Sequence, residues 1–179
     1  MQVKKLLERY KTAMYAGGSF GVNNNYYDTE IIKDLVESDL YHLVGHKEDQ
    51  DYYLGLIGMK FYFIGSKIDW ERTHNHIGTK YDDTTLICEA ITFINNLQEA
   101  SLIQNEEVIY IGDGGTDLVY TFCLTSLSIL LPVFLKVPQH HYFLPLDCRW
   151  CICITTENYL DFGISDVGLR GKAGDGSVS

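Results

Sequence analysis

The sequence predicts an α+β fold: a single domain built on a mainly antiparallel sheet, with three or four helices on one face. Three observations predict it. Several stretches place apolar residues at helical spacing, the last third of the chain is a run of short strand-like segments broken by turn residues, and 179 residues with 46% apolar side chains make one domain without an internal repeat. A chain of this size buries roughly 70% of the surface its unfolded form exposes, so its core needs neither a metal nor disulfides.

Val3, Leu6, Leu7, Tyr10 and Met14 recur at helical spacing, which predicts an amphipathic helix ended by Gly17 and Gly18. A loop over residues 19–27 leads to a second helix, capped by Asp28 or Thr29, with Ile31, Ile32, Leu35, Val36 and Leu40 as its apolar stripe and an end near Gly45. Residues 52–64 are rich in aromatic and β-branched types and punctuated by Gly55, Gly58 and Gly65, which predicts two short strands joined by a turn. The polar run ERTHNHIGTKYDD after Trp70 reads as an exposed loop or a second hairpin. Asp83 or Thr84 caps a third helix through about Ala100, with Leu86, Ile87, Ala90, Ile91, Ile94 and Leu97 facing inward.

Residues 108–111 and 118–122 flank a Gly-Asp-Gly-Gly-Thr-Asp segment, a hairpin signal because glycine reaches φ > 0 without steric cost. A short helix over 126–135, kinked by Pro132, precedes an antiparallel meander of strands at 142–144, 150–155 and 159–164. The domain is thus expected over residues 1–165, and residues 166–179, Gly-rich and weakly apolar, are expected to form a flexible tail.

Fourteen Lys and Arg against 24 Asp and Glu give a net charge of −10 with His neutral. Phosphate backbones reward the opposite sign, so this charge disfavours nucleic acid and anionic lipid as partners and favours basic proteins. The charge is also segregated. Residues 28–51 carry eight acids against Lys33 and Lys47, and residues 99–166 carry nine against Lys136 and Arg149. The N-terminus lacks a secretory signal's apolar core and cleavage site, and the apolar stretch at 119–137 is interrupted by Thr121, Thr125, Ser126, Ser128, Pro132 and Lys136. A cytoplasmic protein with no membrane partner is expected.

Cys88, Cys123, Cys148, Cys151 and Cys153 are odd in number and unevenly spaced, which fits reduced thiols. Cys148 and Cys151 match C-x-x-C, but no second pair exists for structural zinc, so neither metal nor cofactor is expected. His74-Asn75-His76 are three adjacent letters rather than the dispersed motif of an HNH nuclease. Asp113 and Asp117 stand in a loop too short for calcium and without the Gly-Lys-Ser/Thr of a phosphate cradle. His140 with Cys148 or Cys151 supplies the residue types of a nucleophilic site, without a nucleophile elbow. Thirteen tyrosines offer stiff contact area suited to interfaces.

The IGDGGTD turn, the VPQHHYFLP segment and the RWCICITTENYLDFG ending resemble small bacterial immunity-type proteins, over about a third of the chain. The resemblance implies a single α+β domain that binds and blocks a cognate toxin, including those of contact-dependent growth inhibition. Many such toxins are basic nucleases, and carboxylates placed where phosphates would lie compete for their active sites. Glu48, Asp49 and Asp51, with Asp82 and Asp83, are the expected partner-binding residues; no catalytic residue is expected, and His140, His141, Trp150 and Phe162 are expected to hold the sheet. The alternatives are a metal- or His/Cys-dependent hydrolase or nuclease, sensitive to chelation or to His141→Ala, and a phage-type inhibitor of a host nuclease.

Overall fold

The computed structural model describes residues 25–47 and 50–166. The expected helix near the N-terminus, most of the loop after it, the Gly-rich tail past Asp166, and Glu48 and Asp49 lie outside these residues. The described chain runs α1 (Tyr26–Glu37), β1 (Gly45–Lys47), α2 (Gln50–Lys60), β2 (Phe63–Ile64), β3 (Lys67–Ile68), β4 (His74–Lys80) and α3 (Leu86–Glu99). It continues through β5 (Glu107–Gly112), β6 (Val119–Cys123), α4 (Leu127–Phe134), β7 (His141–Pro145), β8 (Trp150–Ile154) and β9 (Tyr159–Ile164). Seven strands form one sheet in the order β1-β6-β5-β7-β8-β9-β4, each pair antiparallel, and β2 and β3 form a separate hairpin. The fold is therefore α+β, with the sheet its main component.

Successive strand residues point to opposite faces, and the sequence uses this period to build two apolar layers. Val108, Tyr110, Tyr120, Phe122, Phe143, Trp150, Ile152 and Phe162 face the larger core, where they meet Ile31 and Leu35 of α1, Ala90, Phe93, Ile94 and Leu97 of α3, and Leu127, Leu130, Leu131 and Phe134 of α4. Ile109, Ile111, Val119, Tyr142, Leu144, Cys151 and Cys153 face the smaller one, closed by Tyr53 and Ile57 of α2 with Phe61 and Ile68. Three helices share one face as expected, and the fourth, α2, covers the other.

Four local expectations are corrected. The helix beginning at Tyr26 is capped by Asn25, whose Oδ1 accepts from the N–H of Tyr27 (2.9 Å) and Asp28 (3.3 Å), so neither Asp28 nor Thr29 is the cap. The helix also stops at Glu37 rather than near Gly45, which opens β1. Residues 50–60, expected to contribute strand, are helical because Tyr53, Ile57 and Phe61 recur four apart and bury one stripe; only the small hairpin β2–β3 survives of the expected strand pair, turning at Gly65 with φ 64°. The run after Trp70, expected as an exposed loop or a second hairpin, contains β4, an edge strand paired with the distant β9 from His74↔Ile164 to Lys80↔Tyr159, with a bulge between His74 and Ile77 where Asn75 takes φ 52°.

The hairpin of β5 and β6, the short helix containing Pro132 and the closing meander stand where the sequence places them. The third helix begins at Leu86 with Thr85, not Asp83 or Thr84, at its N-cap position, after a turn in which Asp82 Oδ1 accepts from Thr84 N (2.9 Å) and Thr84 Oγ1 (2.6 Å). Its stripe adds Phe93, while Ile87 remains 39% exposed.

Candidate functional site

Strand register gathers distant segments at one end of the sheet. Lys47↔Val119, Gly112↔His141, His141↔Ile154, Ile154↔Leu160 and Lys80↔Tyr159 all mark that end. The connections beyond it are residues 50–51, 113–118, 139–140, 155–158 and 81–83. Of the expected partner-binding residues, Asp51, Asp82 and Asp83 are therefore brought to one rim. Asp82 and Asp83 follow the edge strand β4, whereas Asp51 opens α2 beside Gln50, which bonds Gly112 O of β5, four strand spacings or about 20 Å away. Asp113, Asp117 and Glu157, which the sequence reading did not assign to a binding surface, fill the space between. All six carboxylates are exposed, and Asp51, Asp82, Asp83 and Asp117 form no ion pair among the described residues.

The loop over 113–118 is held by two buried polar side chains, Asp28 and Gln139, and the strand end before it by Gln50. Asp28, 5% exposed, accepts from the backbone N–H of Asp117 (2.7 Å) and Leu118 (3.2 Å) and from the Tyr120 hydroxyl (2.7 Å). Burial pushes its carboxyl above the ordinary range, and these three donors pull it back. Gln139 Oε1 accepts from Gly115 N (2.7 Å), while its Nε2 donates to the Tyr110 hydroxyl (2.7 Å); its carboxamide occupies the space where a side chain at Gly112 would lie. Gln50 Nε2, at the start of α2, donates to Gly112 O (3.0 Å).

His140 connects this loop to the β8–β9 turn. Its backbone N–H donates to Asp113 Oδ1 (3.0 Å), and its Nε2 lies 3.0 Å from Glu157 Oε2. Its Nδ1 is 3.1 Å from Asp113 Oδ2, close in distance without the alignment of a hydrogen bond. Glu157 in turn accepts from Lys67 (2.5 Å), which tethers the β2–β3 hairpin; this bond, and the charge of His140, draw the Glu157 carboxyl down to about 2. Asn158, with φ 69°, makes the turn that presents Glu157.

His141, Trp150 and Phe162 are buried, as is most of His140. His141 Nδ1 sits 3.0 Å from the Tyr110 hydroxyl, and burial, reinforced by His140, lowers its pKa to about 3. In the unfolded chain the group titrates near 6.5, so between those values the unfolded state binds the extra proton. Stability is expected to fall as pH drops below 6.5, by up to about 1.4 kcal/mol per pH unit from this group. Urea unfolding at neutral pH and near pH 5 checks this: His141→Gln should flatten the loss, and an unchanged pH dependence would contradict it.

The residue types of a nucleophilic site do not converge. Cys148 lies in the turn after β7, at the opposite end of the sheet from His140, roughly 16 Å away by strand rise. Burial raises its thiol to about 11 and pushes Cys151 and Cys153 well above the ordinary range, the reverse of activation. Among the described residues no group of three or more His, Cys, Asp or Glu is arranged to hold a metal ion, and no helix is long and apolar enough to cross a membrane. His74 and His76 pair instead with Asp166 (2.5 Å) and Asp161 (2.9 Å), pinning the edge strand β4.

An open groove of about 700 Å³ lies at the other end of the sheet, where β1 stops short of Phe122 and Cys123, and is lined in part by His42, Glu106 and Glu107. Cys123 there is exposed, and hydrogen bonding from Thr125 lowers its thiol pKa. In the folded chain iodoacetamide is expected to label Cys88 and Cys123 and to spare Cys148, Cys151 and Cys153 until unfolding. Peptide mass mapping checks this, and a modified Cys151 in folded protein would contradict the burial.

No family model matches the chain, and a search of curated proteins finds none similar to it.

Proposed function

We propose that this chain is a non-enzymatic, cytoplasmic immunity-type protein that binds a basic cognate toxin, a nuclease by its charge, and occludes the active site. The observation that carries the reading is the rim itself: Asp51, the adjacent Asp82 and Asp83, Asp113 with Asp117, and Glu157, from four separate segments, come to one end of the sheet. A line of carboxylates on rigid strand ends offers a cationic substrate-binding cleft the charges it uses for phosphate. Buried Asp28 and Gln139 hold the central loop in place, so little ordering entropy is lost on binding. A phage-type inhibitor of a host nuclease would use the same chemistry against another partner.

The hydrolase reading has in its favour only His140 between Asp113 and Glu157. Both flanking groups are acceptors, and the neighbouring Cys153 thiol is buried and pushed well above its ordinary range by that burial, the reverse of an activated nucleophile. The experiment is capture of the basic protein bound at low salt, followed by expression of that protein in a bacterial host with and without this chain. Growth restored by the wild-type chain and not by Asp51→Lys, Asp82→Lys, Asp83→Lys supports inhibition through the rim. Growth restored equally by both removes the rim from the account.

A further inference from the structure

The helix α2 is apolar on nearly every side, yet it buries only one stripe. Of its eleven residues Gln50, Asp51 and Lys60 alone are strongly polar, and Tyr53 and Ile57 alone are buried. Tyr52 (64% exposed), Leu54 and Met59 (66%) are exposed, as are Phe63 and Ile64 (70%) of the hairpin strand that follows three residues after the helix. Among the described residues, five of the eleven exposed large hydrophobic side chains thus fall within residues 52–64. A surface helix normally carries charge on its solvent side, and an apolar all-round helix is normally covered.

The helix surface is also low. Gly55 and Gly58 are exposed, with nothing within 4 Å of where a side chain would begin, so another helix can approach its backbone between Tyr52 and Met59. Charge selects the occupant. The patch adjoins the acidic rim through Asp51 and through the Lys67–Glu157 tether, and a second copy would bring a like-charged rim and a net charge of −10 against it. A basic partner meets complementary charge instead.

We propose that the outer face of α2, with Phe63 and Ile64, is the docking surface for an amphipathic, Lys- or Arg-flanked helix of a basic partner protein. The inference rests on the reading of the rim as a toxin-binding surface and adds to it the apolar half of the contact. Charge alone gives rapid capture, whereas buried apolar anchors give slow release.

The test uses the full chain and a synthetic amphipathic helix, acetyl-LKKLLKLLKKLLKL-amide, against a scrambled peptide of equal composition that lacks an apolar face. Calorimetric titration is expected to show the amphipathic peptide binding at least about tenfold more tightly, and Met59→Lys with Ile64→Lys abolishing that margin. Both residues are mostly exposed, so the variants should fold, and Ile129→Lys, at an exposed apolar residue of α4 on the other sheet face, should leave the margin intact. Equal binding of the two peptides, or none, overturns the apolar site. If binding is equal but salt-sensitive and lost on reversal of Asp51, Asp82 and Asp83, the rim stands without the patch. Concentration-dependent dimerisation lost with Met59→Lys would make a second copy the occupant. A tenfold gain in peptide affinity when Lys4, Lys5, Arg9 and Lys11 are changed to Gln would make the chain's own basic segment the occupant; either result overturns the proposal.

Discussion

Replacing Phe134 with alanine is expected to cost about 4 kcal/mol of folding stability, within the usual range for an aromatic deleted from a core. Phe134 is fully buried at the end of α4 and stacks on Tyr110 at 4.2 Å, with Tyr120 at 5.5 Å and Phe122 at 5.6 Å. These rings come from the neighbouring strands β5 and β6, so one side chain docks the helix onto that strand pair. Its loss removes apolar burial and leaves a cavity that the paired strands cannot close. Denaturant unfolding checks the figure, with Phe134→Leu expected to recover more than half of it; a change below about 1 kcal/mol for the alanine would contradict this packing.

Asp28→Ala is expected to cost about 3 kcal/mol, because it strands three donors rather than removing one contact. The Tyr120 hydroxyl is buried, and the N–H groups of Asp117 and Leu118 belong to a loop whose shape depends on them. The effect should extend beyond global stability: amide exchange in residues 113–118 should accelerate more than exchange in β8 or β9. Protection in that loop equal to wild type would show that Gln139 and the Gly112 contacts suffice without Asp28.

Strands buried on both faces and helices with one apolar stripe and a polar solvent side were legible in the sequence. Residues 108–111 and 150–155 were legible as strands from their apolar, β-branched and aromatic content between turn residues, and their successive residues pack into the two opposite cores. The helix α2 escaped detection because Tyr52, Leu54, Leu56 and Met59 surround its buried stripe with further apolar residues, which erases the period of 3.6, and because two glycines resemble turn punctuation. Strand β4 was invisible for the opposite reason. All seven of its residues are exposed, so no alternation exists, and it is held by its backbone ladder with β9 and by His76 on Asp161 and Trp70.

The site divides in the same way. Acids concentrated in a short window, such as Asp51 or Asp82 and Asp83, are visible as charge, whereas Asp113 and Asp117 are fully explained as turn residues until the register aligns their loop with the β8–β9 turn. Asp28 was hidden because an aspartate before an apolar helical stripe has the pattern of an N-cap. Only the Asn25 cap, one position before the helix, frees its carboxylate for the loop 89 and 90 residues further on.

The association rate of the full chain with its captured basic partner, followed by stopped-flow fluorescence across a salt series, tests the rim most directly. The account predicts a rate that falls at least about tenfold from low to high salt, and an Asp51→Lys, Asp82→Lys, Asp83→Lys chain whose low-salt rate drops to the wild-type high-salt value. A rate indifferent to salt and to these reversals would contradict the acidic rim as the surface of capture.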